Sequence, residues 1–462
     1  MSEIYNKFKR DATIKAADKE HRAKTGYNIN QYNHSVIAGK QQFSNLELAR
    51  QRAGYIKYKA INELEKHLSD FETNFQQNGG KVIWATDARQ AVEEIEKILQ
   101  KIRPSYVVKS KSMISEEIDL NPGLQNLQIE AVETDLGEYI VQLADEKPYH
   151  IVTPAMHKSK EDVARLFNEK FQLASNSTPS DIAAFVRGKL RQKFYQAKVG
   201  ITGANFLLAD TGSVCITENE GNGMMSMAFP DVHIVVAGIE RILPSIQHLE
   251  LFWPLLSTFG TGQKVTVYNS IVSGPRQEGE IDGPREMIVI LLDNGRSKVL
   301  AAKEQRRALS CIKCGACLNA CPVFKTIGGH TYNAPYTGPI GAVIMPWMRN
   351  FKDYKHLSFA STLCGACTEV CPVNINLHQL LLFNRNHSVE QGNYGFSEST
   401  LMYGMRQVLG HRKWMDTPNP GVKNWALKTF FAKSWGKSRL LPEFAERNFK
   451  QLWEERVEGK TK

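Results

Sequence analysis

Two short cysteine runs constrain this chain more than any other feature of its sequence. Seven of the eight cysteines lie in them, and each run ends in Cys-Pro. The first run, residues 311–322, has the spacing C-x2-C-x2-C-x3-C-P, which holds [4Fe–4S] clusters in ferredoxins. The second run, residues 364–372, lacks the leading cysteine, and Ser361 stands at that position. Thiolates at this density favour iron, with structural zinc as the alternative, so the runs predict a helical iron–sulfur module that transfers single electrons.

The spacing also predicts which cysteines share a cluster. In paired ferredoxin runs the first three cysteines hold one cluster and the last cysteine ligates the other. This rule assigns cluster 1 to Cys311, Cys314, Cys317 and Cys371, and cluster 2 to Cys321, Cys364 and Cys367.

Cluster 2 is therefore one cysteine short, and three alternatives remain for its fourth position. Ser361 Oγ could ligate the iron, the cluster could hold three irons, or solvent or a partner's residue could supply the ligand. Serine is a poor iron ligand beside thiolates, so we expect a [4Fe–4S] cluster with one labile corner.

Length and charge narrow the class of protein. A chain of 462 residues is too long for one ordinary core, so several domains are expected. The N-terminus has no apolar stretch of signal-peptide length, and no apolar run reaches the ~18 residues of a membrane span, which predicts a cytoplasmic protein. Of the net charge of +10, residues 1–25 carry seven Lys/Arg against four Asp/Glu, and residues 423–462 carry ten against five. Two basic ends favour docking to an acidic partner or peripheral contact with an anionic membrane, and no motif supports nucleic-acid binding.

Alternation of strand-like and helix-like segments predicts an α/β domain with a mostly parallel sheet before the cysteine runs. We divide the chain into a helical N-terminal arm (1–65), the α/β domain (66–300), the double [4Fe–4S] module (301–390) and a basic, Trp-rich helical segment (391–462). Strands are expected at Lys81–Ala85, Tyr106–Lys109, Tyr139–Leu143, His150–Thr153, Val214–Thr217, His233–Ala237, Val265–Tyr268 and Met287–Leu292, and helices at Ala88–Leu99, Glu161–Phe171 and Asp181–Ala197.

The motifs together resemble the lactate utilisation protein B family of iron–sulfur subunits. The resemblance is carried by the segment Gly200–Thr217, by Phe229-Pro-Asp-Val-His233, by the two cysteine runs with the same missing position, and by the Trp-rich end from Tyr394. It implies a lactate-utilisation (LUD) domain with an isomerase- or coenzyme A-transferase-like sheet, followed by a double ferredoxin module. It also implies a cytoplasmic subunit that acts with two partner subunits and relays electrons through two [4Fe–4S] clusters while L-lactate is oxidised to pyruvate.

A second hypothesis gives the LUD domain its own ligand, either as an anion-binding domain or as a catalytic domain acting on another 2-hydroxy acid. Lys109 and Lys111, beside Ser110 and Ser112 at an expected helix start, are the candidate anion-binding residues. Asp210, Glu218 and Glu220 are candidate acids. The alternative is that the lysines are solvated and the acids satisfy turns. No catalytic residue is assigned, and no dinucleotide or Walker motif is present in the sequence.

Three further features are expected to be structural or to serve partners. Cys215 lies in an apolar strand and is expected to be a buried core thiol. His330, between the runs, could tune or ligate a cluster but is more simply a surface or packing residue. Four of the seven tryptophans fall in the basic C-terminal segment, which favours an interface with partner subunits over a membrane contact or packing onto the module.

Overall fold

The computed structural model describes residues 2–417, 419–436 and 439–458. The chain forms two compact units, Met1–Ser388 and Val389–Lys462. The finer boundaries expected at residues 65 and 300 remain predictions.

Four helices precede the sheet, as the polar, helix-favouring N-terminal sequence predicts. They are α1 (Glu3–Ala17), α2 (Lys19–Lys40), α3 (Leu46–Asn62) and α4 (Leu64–Gln77). Side chains cap the first three, because Ser2, Asp18 and Asn45 each accept a hydrogen bond from a backbone N–H in the first turn.

Among the described residues, ten strands form two sheets. In chain order they are β1 (Lys81–Ala85), β2 (Tyr106–Lys109), β3 (Glu130–Glu133), β4 (Val199–Thr202), β5 (Phe206–Leu208), β6 (Ser213–Glu218), β7 (Val232–Gly238), β8 (Ile242–Leu243), β9 (Tyr268–Val272) and β10 (Glu286–Leu292). The six-stranded sheet has the order β1-β10-β7-β4-β2-β3, and all its pairs are parallel. The smaller sheet has the order β8-β5-β6-β9. The predicted parallel α/β domain is confirmed.

Nine helices of this region accompany the sheets among the described residues. They are α5 (Ala88–Ile102), α6 (Met113–Glu117), α7 (Leu120–Asn126), α8 (Leu136–Leu143), α9 (Lys160–Phe171), α10 (Pro179–Gln196), α11 (Asn222–Ala228), α12 (Leu249–Thr261) and α13 (Arg296–Ala301). Both faces of the large sheet are covered, since every residue of β7 is buried. Strands that are buried on both faces have nearly continuous apolar sequences, and such a sequence predicted this strand.

The winding of the large sheet reverses between β2 and β4. From β2 the chain continues outward to β3, whereas from β4 the later strands β7 and β10 extend towards the opposite edge. The loops that follow β2 and β4 therefore diverge at the carboxyl edge and leave a crevice, the usual ligand position in open α/β sheets.

Three expected strands are wrong. Tyr139–Leu143 lies inside helix α8, because Asp135 caps that helix by accepting from Glu138 N, and a short, mostly apolar run fits either structure. His150–Thr153 is a turn in which His150 Nδ1 accepts from the N–H groups of Val152 and Thr153. The strand expected at Val265–Tyr268 begins only at Tyr268.

The cysteine runs lie in a module of short helices. These are α14 (Ala316–Ala320), α15 (Pro322–Ile327), α16 (Gly338–Met348), α17 (Phe351–Phe359), α18 (Ala366–Glu369) and α19 (Leu377–Glu390). The buried cysteines belong to an apolar core that also takes side chains from the N-terminal helices and from α12. The module is thus packed into the first unit.

The second unit is helical, as expected, with α20 (Phe396–Gly410), α21 (Arg412–Asp416), α22 (Pro420–Ala426), a π-helical turn (Leu427–Phe431), α23 (Ala432–Trp435) and α24 (Phe449–Glu458). Trp414, Trp425 and Trp453 are exposed in it. Across the described residues of the chain, no helix combines the length and apolarity that crossing a membrane requires.

Candidate iron–sulfur centres and the neighbouring cavity

The two cysteine runs adopt the same local backbone. Lys313 and Leu363 both have left-handed φ angles, 59° and 55°, and Gly315 and Gly365 follow with 81° and 85°. Each glycine precedes a short helix, α14 or α18. Ordinary side chains seldom adopt this conformation, so its repetition shows that the runs are structural repeats.

Ser361 takes the place of a cysteine in that repeat. The N–H of Lys313 donates to Cys311 Sγ at 3.3 Å, and the N–H of Leu363 donates to Ser361 Oγ at 3.1 Å. The serine oxygen thus occupies the position that the first sulfur has in the other run.

The seven cysteines fall into two groups of electrostatic neighbours. Thiol set 1 consists of Cys311, Cys314, Cys317 and Cys371, and thiol set 2 consists of Cys321, Cys364 and Cys367. Burial raises the pKa of Cys317, and the other three thiols of set 1 raise it further. Burial likewise raises the pKa of Cys367 to about 11, with Cys321 and Cys364 as its neighbouring thiols. Each set therefore includes the final cysteine of the opposite run.

Both sets fit an iron centre, because soft thiolate ligands favour iron–sulfur clusters. Buried thiols with raised pKa values, such as those of Cys317 and Cys367, lose their protons near neutral pH when a metal ion binds the sulfur. Backbone donors already point at sulfur: Phe324 N lies 3.5 Å from Cys321 Sγ, and Ile375 N lies 3.3 Å from Cys371 Sγ. Such donors stabilise thiolate charge and tune cluster potentials.

Basic side chains surround thiol set 1. Arg50 donates to the Cys371 carbonyl, with Nε at 3.1 Å, and Arg307 Nη2 donates to the Val373 carbonyl at 3.2 Å. Lys57 is buried and donates to the carbonyls of Glu240 and Ile242, and burial lowers its pKa to about 7. Helix α3, which carries Arg50 and Lys57, packs closely here, since a Cβ on Gly54 would meet the Val373 oxygen at 2.7 Å.

Thiol set 2 is more open. Cys364 is exposed, whereas Cys321 and Cys367 are buried. The backbone N–H of Ala366 and then the side chain of Thr362 lower the pKa of Cys364. Lys325 is a cation that acts on Cys321. Set 2 thus reaches the surface of the module through Cys364.

A buried ion network joins the sheet to the module. Arg296 binds Glu117 through two hydrogen bonds of 2.8 Å and also donates to Glu240. Tyr336, from the module, donates to the same Glu117 carboxylate at 2.6 Å. Burial opposes ionisation of Glu240, yet Arg296 and Arg241 lower its pKa to about 2. The network fixes the module against the carboxyl edge of the sheet.

A cavity of about 240 Å³ opens at the crevice between β2 and β4. The loops after both strands line it, and Lys313 and Tyr336 of the module complete it. Lys111 reaches this cavity, with Nζ 2.8 Å from the Val152 carbonyl and 3.8 Å from the Asp135 carboxylate.

Lys109 lies elsewhere and is fully buried. Its Nζ is 2.8 Å from Glu133 Oε1 and 3.0 Å from Ser115 Oγ. Burial alone would lower its pKa, but Glu133 and neighbouring carboxylates hold the pKa above its ordinary value. The alternative of a solvated lysine is wrong for this residue, because an internal ion pair occupies its ammonium. Its expected anion-binding role stays a prediction.

The three expected acids separate. Asp210 accepts from Ile246 N and satisfies a turn outside the cavity. Glu218 and Glu220 line the cavity, and Glu218 accepts from Gly223 N and Met224 N at 2.7 Å each. Sequence analysis missed four residues that line the cavity, namely Asp135, Arg241, Lys313 and Tyr336. Of these, only Lys313 could have been found from the sequence, because it lies between two cysteines of the first run.

Two remaining residues have packing roles. Cys215 is buried in β6, and burial raises its pKa to about 12, as expected of a core thiol. His330 bonds the Lys147 carbonyl through Nε2 at 2.7 Å and stacks edge-on against Tyr149 and His157. With Glu146 and His157 it forms a compact group of nitrogen and oxygen ligand atoms that holds no cysteine.

Comparisons with known proteins identify a LUD domain followed by an iron–sulfur segment. The LUD domain family matches residues 68–292, and the 4Fe-4S dicluster domain family matches residues 307–375. The chain is 39% identical to lactate utilization protein B of Oceanobacillus iheyensis, over 92% of this chain and 91% of that protein. It is 42% identical to the protein of the same name from Anoxybacillus flavithermus, over 81% and 82%. The Bacillus cytotoxicus counterpart is 44% identical over 77% and 75%.

Proposed function

Because the chain belongs to the lactate utilization protein B family, we propose that it is the iron–sulfur electron-transfer subunit of a system that oxidises L-lactate to pyruvate. It acts with two other lactate-utilisation subunits, in the cytoplasm, and relays electrons rather than oxidising lactate itself. Bound clusters would supply one-electron transfer.

The exchange of final cysteines between the two thiol sets carries this proposal. Set 1 offers four sulfurs and set 2 offers three, so the residues fit two [4Fe–4S] clusters held close together. Two clusters that share the same cysteine runs lie close together, and this arrangement suits an electron relay more than a substrate pocket. Ser361 Oγ lies in register with Cys311 Sγ and is the candidate fourth ligand at set 2.

The contrast in exposure gives the relay a direction. Set 1 lies beneath α3 and beside the LUD sheet, whereas Cys364 of set 2 reaches the surface. Electrons leave through set 2 to a partner subunit. The exposed tryptophans and basic side chains of the second unit supply further docking surface for partners, with peripheral membrane contact as the weaker alternative.

Anaerobic purification with and without the partner subunits tests this function. We expect ~8 iron and ~8 sulfide per chain, as two [4Fe–4S] clusters require. The isolated chain should accept and release electrons without turning over, and dye reduction by L-lactate should appear only with partners. Lactate oxidation by the isolated chain would contradict the relay assignment, and a colourless or zinc-loaded chain would contradict the clusters.

A further inference from the structure

We propose that Glu146, His157 and His330 bind one zinc ion, at a site separate from the seven cysteines of the two runs. The ion joins the loop after α8 to the segment between the two cysteine runs, and it thereby fixes the LUD domain against the iron–sulfur module. The site does not depend on the proposed electron relay.

Three ligand atoms converge at this place. One atom each from Glu146, His157 and His330 lie within 4.8 Å of one another. Zinc bonds to nitrogen and oxygen are ~2.0–2.1 Å long, so the ligand atoms of a tetrahedral site lie roughly 3–3.5 Å apart, and small side-chain movements would close this group around an ion. Two imidazoles with one carboxylate also form the donor set of zinc sites that keep a fourth position open.

A cation can replace the proton between Glu146 and His157. His157 Nε2 and Glu146 Oε2 lie 2.6 Å apart and share that proton. Lys158 Nζ binds the second oxygen, Oε1, at 2.7 Å, which orients Oε2 towards the imidazole. The charge of Lys158 and the small number of ligands should make this site weaker than a closed four-ligand zinc site.

The tautomer of His330 suits a metal ligand. Its Nε2 lies 2.7 Å from the Lys147 carbonyl oxygen, and this nitrogen must donate because a carbonyl oxygen only accepts. In the neutral ring Nδ1 then carries the lone pair that a metal ion needs. Metal-binding histidines are commonly held in this way, since a hydrogen bond from the second ring nitrogen to a backbone carbonyl fixes the tautomer and the ring orientation.

Tyr149 holds both imidazole rings in place. Its ring stacks on His157 with the centroids 4.7 Å apart, and it meets the edge of His330 at 5.2 Å. The Tyr149 hydroxyl is itself held by His21 Nε2 at 3.1 Å. The rings of His157 and His330 are consequently preorganised, with centroids 4.9 Å apart, which reduces the entropy lost when an ion binds.

The two segments approach each other so closely because residues 328 and 329 are glycines. A Cβ on Gly329 would collide with the Tyr149 carbonyl oxygen, and a Cβ on Gly328 would collide with the Tyr149 hydroxyl. Gly328 also has a left-handed φ of 74°. This contact brings His330 to Glu146 and His157, although the sequence separates them widely.

Solvent reaches the group and can supply the fourth ligand. Glu146 and His330 line a cavity of about 420 Å³, and none of the described cysteines lines it. A water molecule there would complete a tetrahedral site. Nitrogen and oxygen donors suit zinc, whereas the thiolates of sets 1 and 2 favour iron–sulfur clusters, so the two kinds of site differ in ligand chemistry.

X-ray absorption at the zinc edge tests the site on the full chain. The chain is purified anaerobically with its iron, treated with a chelator that removes loosely bound metal, and dialysed against a small excess of zinc. We expect one zinc ion per chain in addition to the iron, with nitrogen and oxygen ligands at ~2.0–2.1 Å. Failure to retain zinc overturns the site, and so do sulfur ligands at ~2.3 Å, which would place the zinc among the cysteines.

Variants of the two histidines test the ligands. His157→Gln and His330→Gln should each weaken zinc binding about 100-fold or more, since loss of an outer-shell partner alone costs roughly 10- to 100-fold. His34→Gln, an exposed histidine outside the group, is the matched control and should bind zinc normally. Competition with a chelating dye measures these affinities, and an equal iron content shows that a variant is folded.

Unchanged zinc affinity in both histidine variants would overturn the assignment. If a variant loses its iron, the ligand distances in the unaltered chain decide instead. Zinc should also raise the melting temperature of the unaltered chain and have little effect on His330→Gln, because an ion that binds only the folded form stabilises it. Equal melting temperatures of the unaltered chain with and without bound zinc would overturn the joining role.

Discussion

Thiol sets 1 and 2 share one backbone motif but differ in what surrounds them. Three of the four cysteines of set 1 are buried, and helix α3 covers them with Arg50 and Lys57. Set 2 has an exposed Cys364 and a serine in place of one sulfur. The local spacing sets the ligand geometry, whereas distant segments decide solvent access and charge. The comparison therefore separates an interior set near the LUD cavity from a peripheral set whose Cys364 is exposed, and we propose that a partner docks at the peripheral set.

Removing one cysteine ligand from each set should have the largest effect of the changes considered, and the effect should differ between the two sets. Cys317→Ser should remove one cluster, lower iron from ~8 to ~4 per chain and destabilise the surrounding core, because a buried polar group replaces a metal-bound sulfur. Cys364→Ser should cost the other cluster while the melting temperature changes little, since its position is exposed. Iron analysis and calorimetry check both. Cys215→Ala, a buried cysteine outside both sets, is the control and should keep all the iron.

Breaking the buried ion network that joins the sheet to the module should have the second-largest effect. Arg296→Met leaves Glu117 and Glu240 buried without their cation, so we expect a loss of about 3–5 kcal/mol in the free energy of unfolding. Chemical denaturation measures it. Lys81→Met removes an exposed ion pair with Glu286 and should leave the stability nearly unchanged. A stable Arg296→Met protein would show that the joint does not depend on this network.

Restoring the missing cysteine tests how much of the difference between the two sets comes from Ser361. Ser361→Cys places sulfur where Ser361 Oγ now accepts from Leu363 N, in register with Cys311. It should make set 2 a full four-cysteine site, so that iron loss in air slows severalfold as thiolate replaces a weak ligand. Electron paramagnetic resonance after air exposure would then show less three-iron signal than in the original chain. Unchanged oxygen sensitivity would mean that this corner is already well ligated.

Removing single cations should have the smallest effect. Arg307→Gln takes a charge from the neighbourhood of Cys371 and should lower the set 1 potential by less than ~60 mV, the one-electron equivalent of a tenfold change. Lys325→Gln is the counterpart beside Cys321 and should affect set 2 alone. Redox titration of both variants distinguishes the sites. A shift of the same size at both centres in either variant would contradict their separate surroundings.

Sequence patterns predicted the α/β domain and the helical module because the alternation of strands with helices and the cysteine spacing are local features of the chain. They failed at Tyr139–Leu143, where a short apolar run fits helix and strand equally and the Asp135 cap decides. They also did not show the ion pair of Lys109, because its partner Glu133 comes from an adjacent strand. Arg241 and Lys313 meet at one cavity from separate segments, which no spacing rule can show.

The exchange of final cysteines is the central claim, and one spectroscopic comparison tests it directly. Electron paramagnetic resonance of reduced Cys371→Ser and Cys321→Ser proteins shows which signal each variant loses. We predict that Cys371→Ser loses the signal that Cys317→Ser loses, although these residues lie in different runs, and that Cys321→Ser loses the signal of Cys367→Ser. If each variant instead loses the signal of its own run, the two sets do not exchange ligands and the account is contradicted.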